Sequence, residues 1–339
     1  MKVSTIGLDL AKNVFHVHGI SGDGTVLFNR PIRRAQMIRF FEQQPSCLVG
    51  MEACATSHYW ARELRKLGHD VRLMPPNYVK PYVKRGKSDA ADAEAICEAV
   101  TRPTMRTVSV KSEHQQALLC QHRMRELLVS QRTQLSNAIR GLLGEFGITI
   151  RKGVGYVLEY AEFIRDAEKT DLPEVALDVI KSLSGQLLTL NREIKHLERS
   201  ILAAGRSDPR IKLLKTIPGI GPITASAIIA TVGSADTFKS GRDLAAWIGL
   251  TPLNKSSGGK ERLGGISKKG DRYLRKLLVV GMTSRIVSAR SNPEKTDPWV
   301  LRILERKPAR LATVAIANKT ARVIWAVLRR NESFQTQAV

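Results

Sequence analysis

The sequence predicts an α/β domain followed by a mainly helical remainder. Short runs of β-branched and aromatic residues, separated by turn signals, fill residues 1–80. An apolar seam at heptad spacing occupies the middle of the chain, and a long final helical stretch covers residues 309–330. These patterns place the α/β domain at 1–110, a helical coiled-coil region at 111–206 and a C-terminal domain at 207–339.

The first domain begins with strand character at residues 3–10 and again at 14–20. Ser21-Gly22-Asp23-Gly24 is a turn signal, and residues 25–30 form a third short strand. Three strands with tight links imply an antiparallel meander. A helix over 34–43, a buried strand over 47–51, a helix over 56–67, a strand over 71–74 and a helix over 87–100 follow. The order β-β-β-α-β-α-β-α is that of an RNase H-like domain, an analogy of fold that does not by itself give function.

In the middle, Ile180, Leu183, Leu187, Leu190, Ile194, Leu197 and Ile201 alternate steps of three and four. Asp171 and Pro173 supply an N-cap and an early helical proline. Met124, Leu128, Leu135, Ile139, Leu142 and Phe146 form a weaker stripe upstream, and residues 150–170 are expected to turn the chain back. Two uses fit this pattern: an antiparallel coiled-coil arm for self-association, or a helical bundle packed on its own domain.

The chain has 339 residues, with 54 Lys and Arg against 31 Asp and Glu, and a net charge of +23. Hydrophobic residues at 43% exclude a wholly disordered chain, and aromatics at 5% argue against base-stacking platforms as the main binding device. Such a basic excess points to a polyanion, nucleic acid first. It is uneven: residues 255–330 hold 19 basic and 5 acidic residues, while residues 1–100 hold 14 and 10. Cys47, Cys54, Cys97 and Cys120 make no C-x-x-C pair and read as reduced core thiols. The N-terminus carries Asp9 among apolar residues and is no signal peptide, and no apolar run approaches the ~18 residues of a membrane span. A cytoplasmic protein without membrane contact is expected.

Three clusters carry chemistry. Asp9 ends an apolar strand, Glu52 ends another, and Asp89 and Asp92 share one helix face. On an RNase H-like topology these four converge and would hold two Mg²⁺ or Mn²⁺ ions, since hard oxygen ligands suit hard cations. Paired metals stabilise both attacking and leaving oxygens in phosphoryl transfer. The second cluster, Ile217-Pro218-Gly219-Ile220-Gly221, runs into a helix over 223–232 in a helix-hairpin-helix pattern. Gly219 and Gly221 would turn backbone N–H groups toward a phosphate backbone. The third is a pliable basic segment in which Lys255, Lys260, Arg262, Lys268 and Lys269 interleave with glycines and hydroxyls, followed by Arg272, Arg275 and Lys276 on a helix. It suits phosphate wrapping. Ser256 or Ser257 could also attack a phosphodiester, although no histidine follows His196 to activate it.

The chain resembles the DEDD transposases of insertion-sequence family 110, especially its 1111 subgroup. The resemblance rests on Ile6-Gly7-Leu8-Asp9-Leu10-Ala11-Lys12, Met51-Glu52-Ala53-Cys54 and Lys87-Ser88-Asp89-Ala90-Ala91-Asp92-Ala93. It continues through Ile217-Pro218-Gly219-Ile220-Gly221, Trp247-Ile248-Gly249-Leu250-Thr251-Pro252, Ser256-Ser257-Gly258-Gly259-Lys260 and Gly265-Ile266-Ser267-Lys268-Lys269-Gly270. It implies a RuvC-like N-terminal domain whose Asp9, Glu52, Asp89 and Asp92 bind divalent metal, and a C-terminal transposase domain with a nucleophilic serine. The family pattern places that serine directly before glycine, which selects Ser257, with Ser256 the runner-up. It further implies a phosphoserine–DNA intermediate, guidance by a structured bridge RNA, a homo-oligomer (dimer or tetramer) and a place on the bacterial nucleoid. The competing readings are a RuvC-like metal-dependent nuclease, a non-catalytic DNA-binding protein and, least favoured by the charge, a sugar-kinase-like phosphotransferase.

Overall fold

The β-branched runs at the start of the chain form the expected strands. β1 (Val3–Asp9), β2 (Val14–Ser21) and β3 (Val26–Arg33) make the antiparallel meander, and β4 (Leu48–Glu52) and β5 (Asp70–Met74) extend it in parallel. The strand order is β3-β2-β1-β4-β5. Parallel neighbours need crossover connections, and α1 (Met37–Glu42) and α2 (Ser57–Lys66) lie in them. A short α3 (Pro76–Val79) precedes α4 (Asp89–Val100). The computed structural model describes residues 1–84, 86, 88–167, 170–256 and 262–335, in two compact units, Met1–Glu113 and His114–Val339.

The sheet of the first unit has two unlike faces. Ile6, Leu8, Phe15, Val17, Val49 and Met51 pack with Phe41, Trp60 and Leu64 of α1 and α2. The opposite face takes α4, and it can do so closely because β1 and β4 have glycine there. A methyl group at Gly7 would overlap the carbonyl oxygen of Ala93 and the backbone of Cys97. One at Gly50 would stand 2.8 Å from Val100. Ser88 caps α4, its Oγ accepting the Ala91 N–H at 3.2 Å.

In the second unit, α5 (Glu113–Gly144) and α7 (Glu174–Ala204) run antiparallel. Gln121 Nε2 donates to Ser200 Oγ at 2.9 Å, Arg125 Nη2 to Glu198 Oε1 at 2.6 Å, and Arg132 Nη1 to Asn191 Oδ1 at 2.9 Å. Ile180, Leu187, Ile194, Leu197 and Ile201 of the heptad seam are buried within this chain, so the bundle reading accounts for them. Residues 150–170 do more than turn the chain: α6 (Val154–Asp166) puts Val157, Ala161 and Ile164 into the same core. Gly153 at its N-cap and Gly155 in its first turn hid that periodicity. Pro173 rather than Asp171 occupies the N-cap position of α7.

The remaining helices are α8 (Pro209–Lys215), α9 (Pro222–Val232), α10 (Gly241–Trp247), α11 (Arg272–Ser291), α12 (Pro298–Arg306) and α13 (Ala309–Arg330). Their core gathers Ile228, Leu274, Leu278, Met282, Ile316 and Ile324. A small hairpin, β6 (Pro252–Asn254) with β7 (Leu263–Ile266), interrupts this helical region and was not expected. Contrary to the sequence reading, α13 is long and apolar enough by composition to cross a membrane. Its Ala312, Ile316, Ala317, Ala321 and Ile324 are instead buried in the core of this unit.

The close seating of α4 makes a testable demand. Gly7→Ala should lose about 1–3 kcal/mol or more in denaturant unfolding, because the clash is with backbone that cannot rotate away. Gly185→Ala, with open space around it inside α7, should gain about 0.5–1 kcal/mol in the same assay.

Candidate functional site: a carboxylate cluster and a serine hairpin

The seating of α4 decides what stands at the carboxyl ends of β1 and β4. The parallel register pairs Leu8 with Met51, which sets Asp9 beside Glu52, the next residues along. The first turn of α4 brings Asp89 and Asp92 over the same edge. Asp9, Glu52 and Asp92 are half-buried and Asp89 is exposed. Burial, then the charges of Asp92 and Asp89, raise the Asp9 carboxyl above its ordinary range. Burial, then Asp9 and Asp92, raise Glu52. Asp9 thus feels the other carboxylates, and Glu52 feels Asp9 and Asp92. Glu94 and Glu98 are turned elsewhere, to Lys84 and Arg102.

Among the described residues, no three acidic, His or Cys side chains stand close enough to hold a metal ion as they are. The donors themselves fit a divalent metal: hard carboxylate oxygens, partly desolvated, with a surplus of negative charge. Backbone strain lies beside them. Thr56, four residues past Glu52, caps α2 with φ 71, a left-handed conformation rare for a β-branched residue.

The serine segment is the loop of the β6–β7 hairpin. Asn254 Oδ1 accepts the Ser256 N–H at 2.8 Å, Ser256 Oγ accepts the Arg262 N–H at 3.1 Å, and Lys255 N–H donates to Arg262 O at 2.8 Å. Ser256 thus helps to close the neck of the loop. Ser257 and Lys260 lie outside the described residues. Beyond the hairpin, Lys268 has φ 55, and Gly249 and Gly270 let the 247–250 and 268–270 segments touch backbone to backbone. Arg275 Nη1 locks that contact, donating to Ile248 O at 2.7 Å and Lys269 O at 3.2 Å. Lys276 faces Glu126 at 3.4 Å. Lys255, Arg262, Lys268, Lys269 and Arg272 are exposed.

α8 and α9 form the predicted pair of helices around Gly219 and Gly221. Gly219 (φ 86) packs against Gly281 of α11, where a side chain would collide, while Gly221 is exposed at the start of α9 with open space around it.

Comparison with known proteins completes the picture. A model described as "Transposase", of DEDD type from IS110, matches residues 6–148, and one described as "Transposase IS116/IS110/IS902 family" matches residues 211–297. A "Probable family 20 transposase" of Pseudomonas aeruginosa is 49% identical over 336 residues, covering 99% of each chain. The chain belongs to the IS110/IS116/IS902 family of transposases. The transposase for insertion sequence element IS1328 of Yersinia enterocolitica is 38% identical, covering 98% of each chain. That for IS1111A of Coxiella burnetii is 37% identical, covering 99% of this chain and 92% of its own. The first matched region of this DNA transposase holds all four carboxylates, and the second holds the helix pair and the serine hairpin.

One residue near the cluster was missed. His16 is the cross-strand partner of Asp9, its Nε2 donates to Asn29 Oδ1 at 2.7 Å, and its charge lowers the Asp9 carboxyl against the other influences. The tight β1–β2 link fixes that register, so counting outward from the turn would have found it.

Because Asp9 and Glu52 are raised in the folded state, the fold holds protons that the unfolded chain has already released. Stability of the metal-free transposase therefore falls as pH rises from about 4, the ordinary carboxylate value, through the raised ones. Asp9→Asn should keep or raise the melting temperature at pH 7 in EDTA, with the difference fading below about pH 4. A clear drop at pH 7 would make Asp9 a structural residue.

Proposed function

We propose that this insertion-sequence transposase cuts and rejoins DNA through a covalent serine–DNA intermediate, with Asp9, Glu52, Asp89 and Asp92 as its divalent-metal site. The observation that carries the reading is that Asp9 and Glu52 end neighbouring parallel strands, partly buried, with the charge of Asp92 reaching both and that of Asp89 reaching Asp9. The sheet order β3-β2-β1-β4-β5 with α4 across it supports a RuvC-like domain. Mg²⁺ or Mn²⁺ bound there would neutralise charge developing on the attacking and leaving oxygens. The carboxylates orient that charge and hold it in a partly dry site.

Ser257 is the proposed nucleophile. Ser256 Oγ already accepts the Arg262 N–H at the loop neck, which supports the neighbouring hydroxyl as the reacting one. Its oxygen forms a bond to the phosphodiester phosphorus, and one strand oxygen leaves as a free hydroxyl. Reversal, with another strand's hydroxyl attacking the phosphoserine, reseals DNA without loss of bond energy. No imidazole follows His196 to take the serine proton. A composite site that forms only on assembly, in which a carboxylate of the cluster receives it, answers that need. Lys255, Lys260, Arg262, Lys268, Lys269 and Arg272 are proposed to bind phosphates around the loop, with Gly221 at the α9 start as a further backbone contact. Arg275 and Lys276 contribute by holding the loop base and α11 in place. A structured guide RNA would supply sequence reading, which fits backbone-directed cations. Self-association is supported by exposed Leu142, Phe146, Val175 and Val179 at one end of the α5–α7 pair.

Two measurements test this. The protein, expressed with the DNA flanking its gene, is given labelled junction DNA and Mg²⁺ and denatured in detergent. A protein–DNA adduct that disappears in Ser257→Ala and in Asp9→Ala is expected. An adduct lost only in Ser256→Ala would move the nucleophile by one residue, and cleavage without adduct would leave a RuvC-like nuclease. Independently of activity, Mg²⁺ should raise the melting temperature of the wild type more than that of Asp92→Asn.

A further inference from the structure

A groove of about 630 Å³ runs between the start of α10 and the C-terminal half of α13, and neither the carboxylates nor the described residues of the serine hairpin line it. Arg242, Lys319 and Arg322 line it together with Val323, Trp325 and Ala326, and no carboxylate does so among the described residues. Packing forces this gathering of cations. Gly241 is buried, and a methyl group there would stand 2.9 Å from the Cα and carbonyl oxygen of Arg322. α10 therefore meets α13 backbone to backbone, which sets Arg242, the next residue, beside Arg322.

Both arginines are exposed, and neither has an ion pair among the described residues. The carboxylates of the neighbourhood are engaged with other groups. Asp297 faces Arg285 and Lys319 at 3.8 Å each, Asp236 pairs with Arg329, and Asp243 Oδ2 accepts the Lys239 N–H at 3.3 Å. Lys319 also lies 4.0 Å from the centre of the Trp299 ring, which leaves the two arginines as the free cations of the groove among the described residues. Like charges brought together without a counter-charge disfavour the fold, and an anion placed between them reverses that. The Trp325 ring is fixed, since its Nε1 donates to the carbonyls of Ala235 and Phe238 at 3.2 Å each.

A matching ligand has an anionic group for two guanidiniums and a flat apolar body for an indole. Guanidinium forks pair with phosphate in a bidentate, charge-assisted way, and bases stack on aromatic rings. A duplex keeps its bases in the stack and would offer this groove phosphates alone. A folded RNA displays unpaired nucleotides in its loops and bulges, phosphate and base together. We infer that the groove between α10 and α13 binds an unpaired nucleotide of an RNA strand, with its phosphate on Arg242 and Arg322 and its base against Trp325. This rests on the reading of the protein as a nucleic-acid enzyme, and it requires neither Ser257 nor the carboxylates.

The test uses the full chain and a short fluorescein-labelled oligouridylate, with a deoxy-oligomer of equal length and a DNA duplex as comparison probes. Arg242→Ala/Arg322→Ala should weaken oligouridylate binding by about tenfold or more and reduce the salt slope by about 0.7, the value for one single-strand phosphate contact. Lys195→Ala/Arg199→Ala on α7 should leave both unchanged. A 4-thiouridine probe should crosslink to the peptide that contains Trp325. The inference is overturned if the double arginine variant binds like the α7 control, or if the crosslink maps outside α10 and α13. It is overturned equally if the loss is the same on duplex DNA, or if the deoxy-oligomer binds as tightly and loses as much. The DNA-adduct assay separates the two readings: loss of adduct chemistry with an intact groove response would remove the serine mechanism and leave the groove.

Discussion

The close seating of α4 on the sheet is the constraint on which the N-terminal site depends. Helices usually ride above a sheet on a cushion of side chains. Here two strand positions are glycine and the helix presents Ala93 and Cys97, so cushion and gap both vanish. The result is a short reach from the first turn of α4 to the ends of β1 and β4. Asp9 and Glu52 are then left partly desolvated within reach of the charge of Asp92. Asp89 and Asp92 stand where unpaired helix N–H groups and the helix dipole favour negative charge, which offsets part of the repulsion. Burial first, and the neighbouring carboxylates second, raise the proton affinity of Asp9 and Glu52.

The C-terminal unit solves a different problem, that of holding a short hairpin in a helical setting. Its anchor is polar as well as apolar. His122 of α5 lies buried between Ser226 of α9 at 3.1 Å and Tyr273 of α11 at 3.2 Å. Burial drives its pKa down to about 4, so it stays neutral and serves as a fixed hydrogen-bonding strut. Tyr273 opens the helix that follows the serine hairpin, and Arg275 one turn on clasps the backbone on either side. Cations that look interchangeable in the sequence thereby divide into two groups, those that stabilise the platform and those that face solvent.

Much of this was legible in the sequence. Short strands with tight turns fixed the meander, and the carboxylates stood out because charged residues rarely end buried strands. The final helix was read to its last residue. What escaped shares a physical cause: information carried by long-range contact. The hairpin of β6 and β7 is too short and too glycine-rich to show alternation, and α6 is masked by glycines at its start. His16 needed strand register, and the duty of Arg275 needed knowledge of which carbonyls the fold leaves bare. The seam on α7 was visible, but whether it met its own chain or another was not a local property.

The hydrogen-bonded neck formed by Asn254, Ser256 and Arg262 has an evolutionary consequence. It insulates the fold from whatever lies between residues 256 and 262, because the strands below are already closed. Loop-closure entropy grows only logarithmically with length, so each doubling of a flexible loop costs about 0.6 kcal/mol. Insertions there can accumulate with little effect on the helical core. Relatives of this transposase are therefore free to diverge in length between these two residues while keeping the helical platform unchanged.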